Sequence, residues 1–394
     1  MKILKIQATG LKLFEKNFEI DFYAKQRVSA DKNEMLTHIA SNIYINNVIS
    51  LVGINASGKT TTLKVISFVM QMLQNKPINT IDCNDVLDGL EKHEEVCFTI
   101  YFISDDNKLT KLYTAIKPQH KKNEMKTQYI IVKEKIWTKS LSTVRSKKDL
   151  FNFSNAELTA ERNQEDLFLL DDVSIIVAFN KQQNKTLFVM DLIDWTNFNG
   201  LRIIGRFPIE LVRFLDPSIE YLKCTELEEK EGQIEIRLKF YNKKEIIVYS
   251  PLDICSYLSS GTIKGLNIFM TAILTLKEGG YIIVDELENH FNKEIVSTLI
   301  KFFMDNEINK AGAVLVFSTH YIELLDIFDR NDNISVIKNR GGITIENLSD
   351  LLTRNDVKKS ELFQSGYLEQ TTPSYDSYIN LKKALVKVTE AGEV

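Results

Sequence analysis

Residues 53–60 read Gly53-Ile-Asn-Ala-Ser-Gly-Lys-Thr60 and match the pattern GxxxxGK[ST] at every fixed position. The preceding run, Val48-Ile-Ser-Leu-Val52, is short and apolar, which predicts a fully buried strand. The residues from Lys59 to about Gln74 have the spacing of a helix. A glycine-rich turn between a buried strand and a helix predicts a phosphate-binding loop in an α/β fold.

The residue types in this loop suit a nucleoside triphosphate. Glycines let successive backbone N–H groups curl around phosphates at the positive end of the helix. Lys59 can reach the β- and γ-phosphates, and Thr60 offers its hydroxyl to Mg²⁺, so ATP and Mg²⁺ are the expected ligands. The residues expected to contact the nucleotide are Gly53, Asn55, Ala56, Ser57, Gly58, Lys59, Thr60 and Thr61.

A second apolar run, Gly280 to Val284, ends in the acids Asp285 and Glu286. This pattern fits a Walker B strand, in which Asp285 would hold Mg²⁺ through water and Glu286 would polarise the attacking water. A strand that ends in two acids is common by itself. The Walker B assignment is supported here by the position of the strand, about 25 residues after Tyr257-Leu-Ser-Ser-Gly-Thr262.

That upstream stretch resembles the signature LSGGQ of ABC ATPases, with serine at the second glycine and threonine at the glutamine. Ser259, Ser260 and Gly261 would open a helix and point hydroxyl and amide dipoles at the γ-phosphate of a nucleotide bound by a second subunit. By itself the stretch fits an ordinary helix N-cap equally well. Its spacing from the Walker B strand favours the signature, and with it a homodimer that sandwiches ATP.

A third apolar run, Ala313 to Phe317, leads through Ser318 and Thr319 to His320. The end of such a strand is where ABC ATPases carry the switch histidine that senses the γ-phosphate. Lys59, Glu286 and His320 are therefore the predicted catalytic residues, and Thr60 and Asp285 the predicted Mg²⁺ ligands.

Together these motifs resemble the RecF/SMC/OLD-like branch of ABC ATPases, and more narrowly the stand-alone ATPases of bacterial phage-defence and abortive-infection systems. The resemblance implies an α/β P-loop NTPase of the ABC-ATPase type, with a mixed or parallel core sheet and an antiparallel β lobe. Two features depart from it. No glutamine can be assigned to the Q-loop, and the TOPRIM nuclease domain of OLD proteins is not recognised, so a partner would have to perform any cleavage.

The strand and helix patterns divide the chain into four parts. Residues 1–137 would form the first part of the ATPase head, and antiparallel strands are predicted at 96–102, 109–116 and 129–136. Residues 138–225 are predicted to be a largely helical insertion or lid, with helices at 154–168 and 208–214. Residues 226–350 would complete the head, from a hairpin at 234–249 onward, and 351–394 would be a C-terminal tail.

Charge is distributed unevenly along the chain. The net charge is −4, but residues 108–148 hold twelve Lys or Arg against two Glu, which gives +10. Lysines on this lobe could follow a nucleic-acid backbone, and Lys121, Lys122, Lys147 and Lys148 are the candidate contacts. A solvated basic face is an equally good interpretation.

The sequence argues against a membrane-spanning protein and against an exported one. The apolar runs are far shorter than the roughly 20 residues that span a bilayer, and the N-terminus does not resemble a signal peptide. The four cysteines lack CxxC spacing, which is typical of reduced thiols in a cytoplasmic protein. We therefore expect a cytoplasmic protein with no membrane contact.

Three functions fit these features to different degrees. The first is an ATPase that regulates a separate effector, such as a nuclease or toxin, in anti-phage defence, as the resemblance implies. The second is a RecF-like DNA-binding ATPase in DNA repair or maintenance, which the basic lobe favours. The third, a transporter subunit, is disfavoured because Lys59 and Ser259 lie 200 residues apart, about twice the interval usual in transporters.

Overall fold

The structure, a computed structural model, describes ten stretches of the chain. They are residues 1–29, 35–119, 127–163, 169–181, 186–202, 205–226, 234–352, 354–365, 368 and 375–391. Within them the strands are β1 (Lys2–Thr9), β2 (Phe18–Asp21), β3 (Leu36–Ala40), β4 (Ile43–Asn46), β5 (Val48–Val52), β6 (Val96–Ile103), β7 (Lys108–Gln119), β8 (Gln128–Ser140), β9 (Glu157–Glu161), β10 (Val189–Leu192), β11 (Gly205–Arg206), β12 (Ile219–Glu226), β13 (Ile234–Phe240), β14 (Ile246–Val248), β15 (Tyr281–Val284), β16 (Val314–Thr319), β17 (Ile334–Asn339) and β18 (Ile343–Asn347). The α-helices are α1 (Lys59–Leu73), α2 (Ile176–Asn180), α3 (Ile209–Leu215), α4 (Ser260–Glu278), α5 (Lys293–Met304), α6 (Leu348–Leu351), α7 (Lys359–Gln364) and α8 (Tyr375–Ala391).

A mixed sheet of order β10-β15-β16-β5-β17-β18 forms the centre of the head. Its first five strands are parallel, and β18 pairs antiparallel to β17. Strands β5, β15 and β16 are buried along their whole length, as expected of parallel strands covered on both faces. The mixed α/β core predicted from the sequence is therefore confirmed.

Alternating side chains of the central sheet enter two different hydrophobic clusters. Ile49 and Leu51 pack with α1 and the antiparallel sheet on one side. Val48 and Val52 pack with α4 and α5 on the other. Because successive residues of a strand point to opposite faces, a single five-residue run joins both halves of the core.

A second sheet, of order β2-β1-β6-β7-β8-β9, is antiparallel throughout. It confirms the antiparallel β lobe. The smaller sheets are β11-β12-β13-β14 and the hairpin β3-β4. Asn242, in the left-handed conformation at φ 58°, turns the chain between β13 and β14, where the sequence predicts a hairpin.

The helix predicted over residues 154–168 is wrong for its described part. Residues Glu157–Glu161 form strand β9, in which Leu158 pairs with Trp137 and Ala160 with Ile136. Glutamate, leucine and alanine favour a helix locally, but pairing with the free edge of β8 overrides that preference. Residues 164–168 lie outside the described residues.

The largely helical lid is not confirmed by the described part of residues 138–225. Its α-helices are α2, with 5 residues, and α3, with 7 residues, and α3 matches the helix predicted at 208–214. Strand β10 belongs to the central sheet, where it pairs in parallel with β15. No helix in the described residues is both long enough and apolar enough to cross a membrane.

The N-terminal strand is tied to β15, the predicted Walker B strand, by a buried hydrogen bond. Where the register between β1 and β6 shifts, after Ile3, the Ile3 amide donates to the Tyr281 hydroxyl over 2.7 Å. Tyr281 is completely buried, and burial raises the pKa of its hydroxyl. The phenol therefore stays neutral and satisfies an amide that the sheet leaves unpaired.

Tyr281→Phe should destabilise the protein by about 1–3 kcal/mol, because it leaves the buried Ile3 amide without an acceptor. Urea unfolding of the purified chain measures this difference. Tyr23→Phe is the matched control, since the half-buried Tyr23 hydroxyl has no hydrogen-bond partner among the described residues. Equal stability of the two variants would contradict the role assigned to Tyr281.

Candidate functional site

The glycine loop of residues 53–58 needs glycine at both ends for steric reasons. A Cβ at Gly53 would lie 2.4 Å from the carbonyl oxygen of Ile337. Gly58 has φ 99°, and a Cβ there would lie 2.5 Å from the Ile343 side chain. The loop thus presses against β17 and β18, and α1 begins at Lys59 with no acid in its first turn. The positive end of this helix is available to an anion.

The Lys59 ammonium lies inside this loop. It donates to the carbonyl oxygens of Gly53, over 3.0 Å, and Ile54, over 3.1 Å, and its Nζ lies 3.4 Å from His320 Nδ1. Burial lowers the pKa of Lys59, and the nearby carboxylates of Asp285 and of two following glutamates act in the opposite direction. The cation is thus partly desolvated, which strengthens its attraction for a phosphate.

Asp285 links the ends of three parallel strands. Its Oδ2 accepts a 2.6 Å hydrogen bond from Thr60 Oγ1, and its Oδ1 accepts one from Ser318 Oγ. Ser318 Oγ in turn accepts from the Glu286 amide over 2.8 Å. The Thr60 hydroxyl and the Asp285 carboxylate are adjacent hard oxygen donors, so they fit a Mg²⁺ ion whose other ligands are phosphate oxygens and water.

Glu286 is held in a strained conformation at the end of β15. Its φ is 47°, a left-handed value that non-glycine residues adopt rarely and that clusters at functional sites. Asn289 Nδ2 donates to one carboxylate oxygen, and His320 Nε2 lies 3.6 Å from the other. The carboxylate is oriented on both sides, and its side chain is 43% exposed, so it can act on a water molecule.

His320 is fixed through its backbone by a buried acid. Its amide donates to Glu288 Oε1, and Glu288 is only 5% exposed. The second oxygen of Glu288 has no hydrogen-bond partner among the described residues. Glu288 was not predicted from the sequence, because nothing in Asp285-Glu-Leu-Glu288 distinguishes its third acid from a surface residue.

A cleft of about 400 Å³ contains the predicted catalytic residues. Three of its lining residues were missed, namely Leu13, Asn339 and Ile343. Leu13 is 55% exposed, and its carbonyl accepts from the Ile343 amide over 2.8 Å. No motif marks them, since the pairing of the β1–β2 turn with β18 brings them together. The cleft is lined by Leu13, Asn55, Ala56, Ser57, Gly58, Lys59, Thr60, Thr61, Glu286, His320, Asn339 and Ile343.

The loop after β10 was also missed, and it contacts Asp285, the predicted Walker B acid. Trp195 Nε1 donates to the carbonyl oxygen of Asp285 over 2.8 Å, and the indole stacks on Phe291 with ring centres 5.6 Å apart. This loop contains no glutamine, so the Q-loop residue stays unassigned. Only the pairing of β10 beside β15 reveals the contact.

The residues predicted to form the signature lie at the start of α4 and do not line this cleft. Ser259 is the N-cap, and its Oγ accepts from the Thr262 amide over 3.0 Å. Gly261 leaves no room for a side chain, because a Cβ would lie 2.8 Å from the carbonyl oxygen of His290. His290 itself has φ 73°. The start of α4 thus packs on the turn at His290, which follows β15.

The candidate nucleic-acid contacts are not equivalent. Lys147 donates to the carbonyl oxygens of Lys25, over 2.9 Å, and Gln26, over 2.8 Å, so its ammonium is bound within the protein. Lys148 is exposed. Lys121 and Lys122 lie outside the described residues.

The chain matches one family of known proteins. Residues 48–326 match the model of the family described as "AAA domain, putative AbiEii toxin, Type IV TA system". No curated protein matches the chain. Because the match covers well over half of the sequence, from the strand before the glycine loop to beyond His320, the chain belongs to this family, an AAA/ABC-like ATPase family related to abortive-infection systems.

Proposed function

We propose that this protein binds and hydrolyses ATP as a homodimer and that its nucleotide state controls a separate effector, a nuclease or toxin, in bacterial anti-phage defence. One observation carries the proposal. Lys59, Thr60, Asp285, Glu286 and His320, which are up to 261 residues apart in sequence, are joined by a continuous set of contacts at one edge of the central sheet.

The cleft suits ATP in one orientation. The phosphates would lie against the loop and the start of α1, where Lys59 can exchange its carbonyl partners for phosphate oxygens. Thr60 and Asp285 would hold Mg²⁺, which neutralises charge on the β- and γ-phosphates. The exposed apolar side chain of Leu13 offers a surface for the adenine base.

Hydrolysis would proceed by attack of water on the γ-phosphorus, which breaks the bond to the β-phosphate oxygen and yields ADP and phosphate. The Glu286 carboxylate orients this water and accepts its proton, and Asn289 limits the carboxylate to one rotamer. His320, which lies between Lys59 and Glu286, would contact the γ-phosphate and so distinguish ATP from ADP.

The position of the signature supports a homodimer. Ser259 is exposed at the start of α4, and its segment does not line the cleft of its own chain. A partner's helix start placed over the cleft would bring hydroxyl and amide donors to the γ-phosphate. Release of phosphate would then weaken the dimer.

The role in defence rests on the family. Its description names a putative toxin and a toxin–antitoxin system, which supports a partner whose activity the ATPase holds or releases. A RecF-like role in DNA maintenance is the alternative. Its best support, the basic lobe, is weakened because Lys147 is bound by backbone carbonyls.

Lys59→Ala should weaken ATP binding about 10- to 100-fold through loss of charge-assisted hydrogen bonds. Glu286→Gln should bind ATP normally but lower turnover by about 100-fold or more, because the base is lost. Calorimetry and a phosphate-release assay measure the two effects. Lys64→Ala, one turn further along α1, and Glu294→Gln on α5 are the controls, and a fully active Glu286→Gln enzyme would contradict the mechanism.

Ser260→Glu should abolish turnover while α4 stays folded, because an acid is favourable at a helix N-terminus but repels the γ-phosphate. A mixture of equal amounts of Ser260→Glu and Lys59→Ala chains should regain about one quarter of wild-type turnover, since half of the randomly formed dimers carry one intact composite site. Phosphate release from the mixture measures this. No recovery after verified subunit exchange would contradict the shared site, and Ser260→Ala controls for loss of the hydroxyl.

Glu286→Gln expressed in the native host with its neighbouring genes should retain the effector in a stable ATP-bound complex. Purification in ATP and Mg²⁺, followed by mass spectrometry, should reveal one protein in stoichiometric amount that Lys59→Ala does not retain. Recovery of nucleic acid without such a protein would favour the DNA-maintenance alternative.

A further inference from the structure

The outward side of the antiparallel sheet carries aromatic and basic side chains next to each other on β7 and β8. Lys111 pairs with Trp137 and Tyr113 pairs with Lys135, while Lys133 lies two residues before Lys135 on the same strand. Because directly opposite residues, and residues two apart on a strand, point to the same face, these five side chains share one surface. We call it the β7–β8 face.

This surface faces solvent. Lys133 is exposed, and the other four side chains are half-exposed. The alternate residues, such as Leu112 and Ile136, are completely buried and belong to the core. The face is therefore the outer side of a sheet whose inner side packs on the rest of the head.

Two lysines of the β7–β8 face lie against aromatic rings instead of acids. Lys111 Nζ is 4.9 Å from the centre of the Trp137 ring, and Lys133 Nζ is 5.9 Å from that of Tyr113. Lys135 alone among the three pairs with an acid, Glu161, over 2.7 Å. The centre of the face is cationic as a result, within the described part of the chain.

The charge on the neighbouring strands confines the cationic area. On the β2 edge, Lys5 Nζ lies 2.6 Å from Glu19 Oε1 and 3.1 Å from Asp21 Oδ1. The positive charge of Lys5 is therefore neutralised there. Phe151 and Phe153 cover Tyr101 on β6 with ring-centre separations of 4.9 and 5.7 Å. Among the described strands of this sheet, β7 and β8 place lysines that have no acidic partner, Lys111 and Lys133, beside the rings of Trp137 and Tyr113.

We propose that the β7–β8 face binds single-stranded nucleic acid, with bases stacked on Trp137 and Tyr113 and phosphates bound by Lys111 and Lys133. An unpaired base offers a flat π-surface to a ring, whereas the bases of a duplex are stacked on each other and inaccessible. Side chains standing on a sheet present such a platform to several bases. This site is separate from the ATP cleft and does not depend on the proposed function.

The test uses the full chain and fluorescein-labelled 20-nucleotide single strands of DNA and RNA, with the matching duplex as a third probe. Fluorescence anisotropy at low salt should show single strands binding more tightly than the duplex. Trp137→Ala and Tyr113→Ala should each raise the Kd by about 5- to 150-fold, the usual contribution of one stacked base. Trp137→Phe and Tyr113→Phe should stay near the wild-type value, because phenylalanine also stacks.

Charge variants separate the ionic contribution from stacking. Lys133→Glu should weaken binding and flatten its salt dependence, since each phosphate contact to a single strand contributes about −0.7 to the slope of log K against log salt. Lys301→Glu, on the exposed side of α5, is the charge-matched control and should bind as wild type. Lys59→Ala should also bind as wild type, which distinguishes this site from the ATP cleft.

Several outcomes would overturn the proposal. They are absence of binding at low salt, equal affinity for duplex, unchanged affinity in both alanine variants, or an equal loss in Lys301→Glu. The phenylalanine variants guard against misfolding, because loss of binding in them as well would also contradict stacking. Tighter binding of RNA than DNA would support the site and assign a contact to the 2′-hydroxyl.

Discussion

The contacts of one carboxylate, Asp285, hold the candidate site together. Its two carboxylate oxygens accept from Thr60, which follows β5, and from Ser318, near the end of β16, while its backbone carbonyl accepts from Trp195, which follows β10. Four neighbouring parallel strands are thus fixed at one point on their carboxyl edge. That edge is where open α/β sheets bind ligands, in the crevice outside the carboxyl ends of the strands.

The parts of this site that could be predicted from the sequence are those that depend on residues close together along the chain. The loop around Gly58 can be recognised because close packing requires glycine, and phosphate and Mg²⁺ chemistry calls for lysine and a hydroxyl at fixed spacing. Buried strands such as β15 can be recognised as short apolar runs. Glu288, Trp195 and Leu13 could not be found in this way. Their roles come from contacts with residues that are distant in sequence, and nothing in their own neighbourhood distinguishes them from ordinary core or surface residues.

The helix prediction was wrong at residues 157–161 for the same reason, since contacts with residues distant in sequence decide the structure there. The segment has good helix formers, but the open edge of β8 supplies backbone hydrogen bonds to it, and the pairing places Leu158 opposite Trp137. A sheet edge is invisible in the sequence of the segment that covers it. The β lobe itself was predictable, since its strands alternate apolar and polar residues, and that same alternation places Lys111, Tyr113 and Trp137 on one outward face.

The charges in the cleft bear on how a triphosphate would be accepted. Asp285, Glu286 and Glu288 all lie close enough to Lys59 to affect its pKa, so three carboxylates oppose one ammonium. A triphosphate brings further negative charge into a partly desolvated space, where unfavourable pairs are weakly screened. Thr60 and Asp285 would hold a divalent cation, whose charge would offset this repulsion, while Glu286 would stay free to face water. Under the proposed function, the excess of acid in this cleft would therefore favour the magnesium complex of ATP over free ATP.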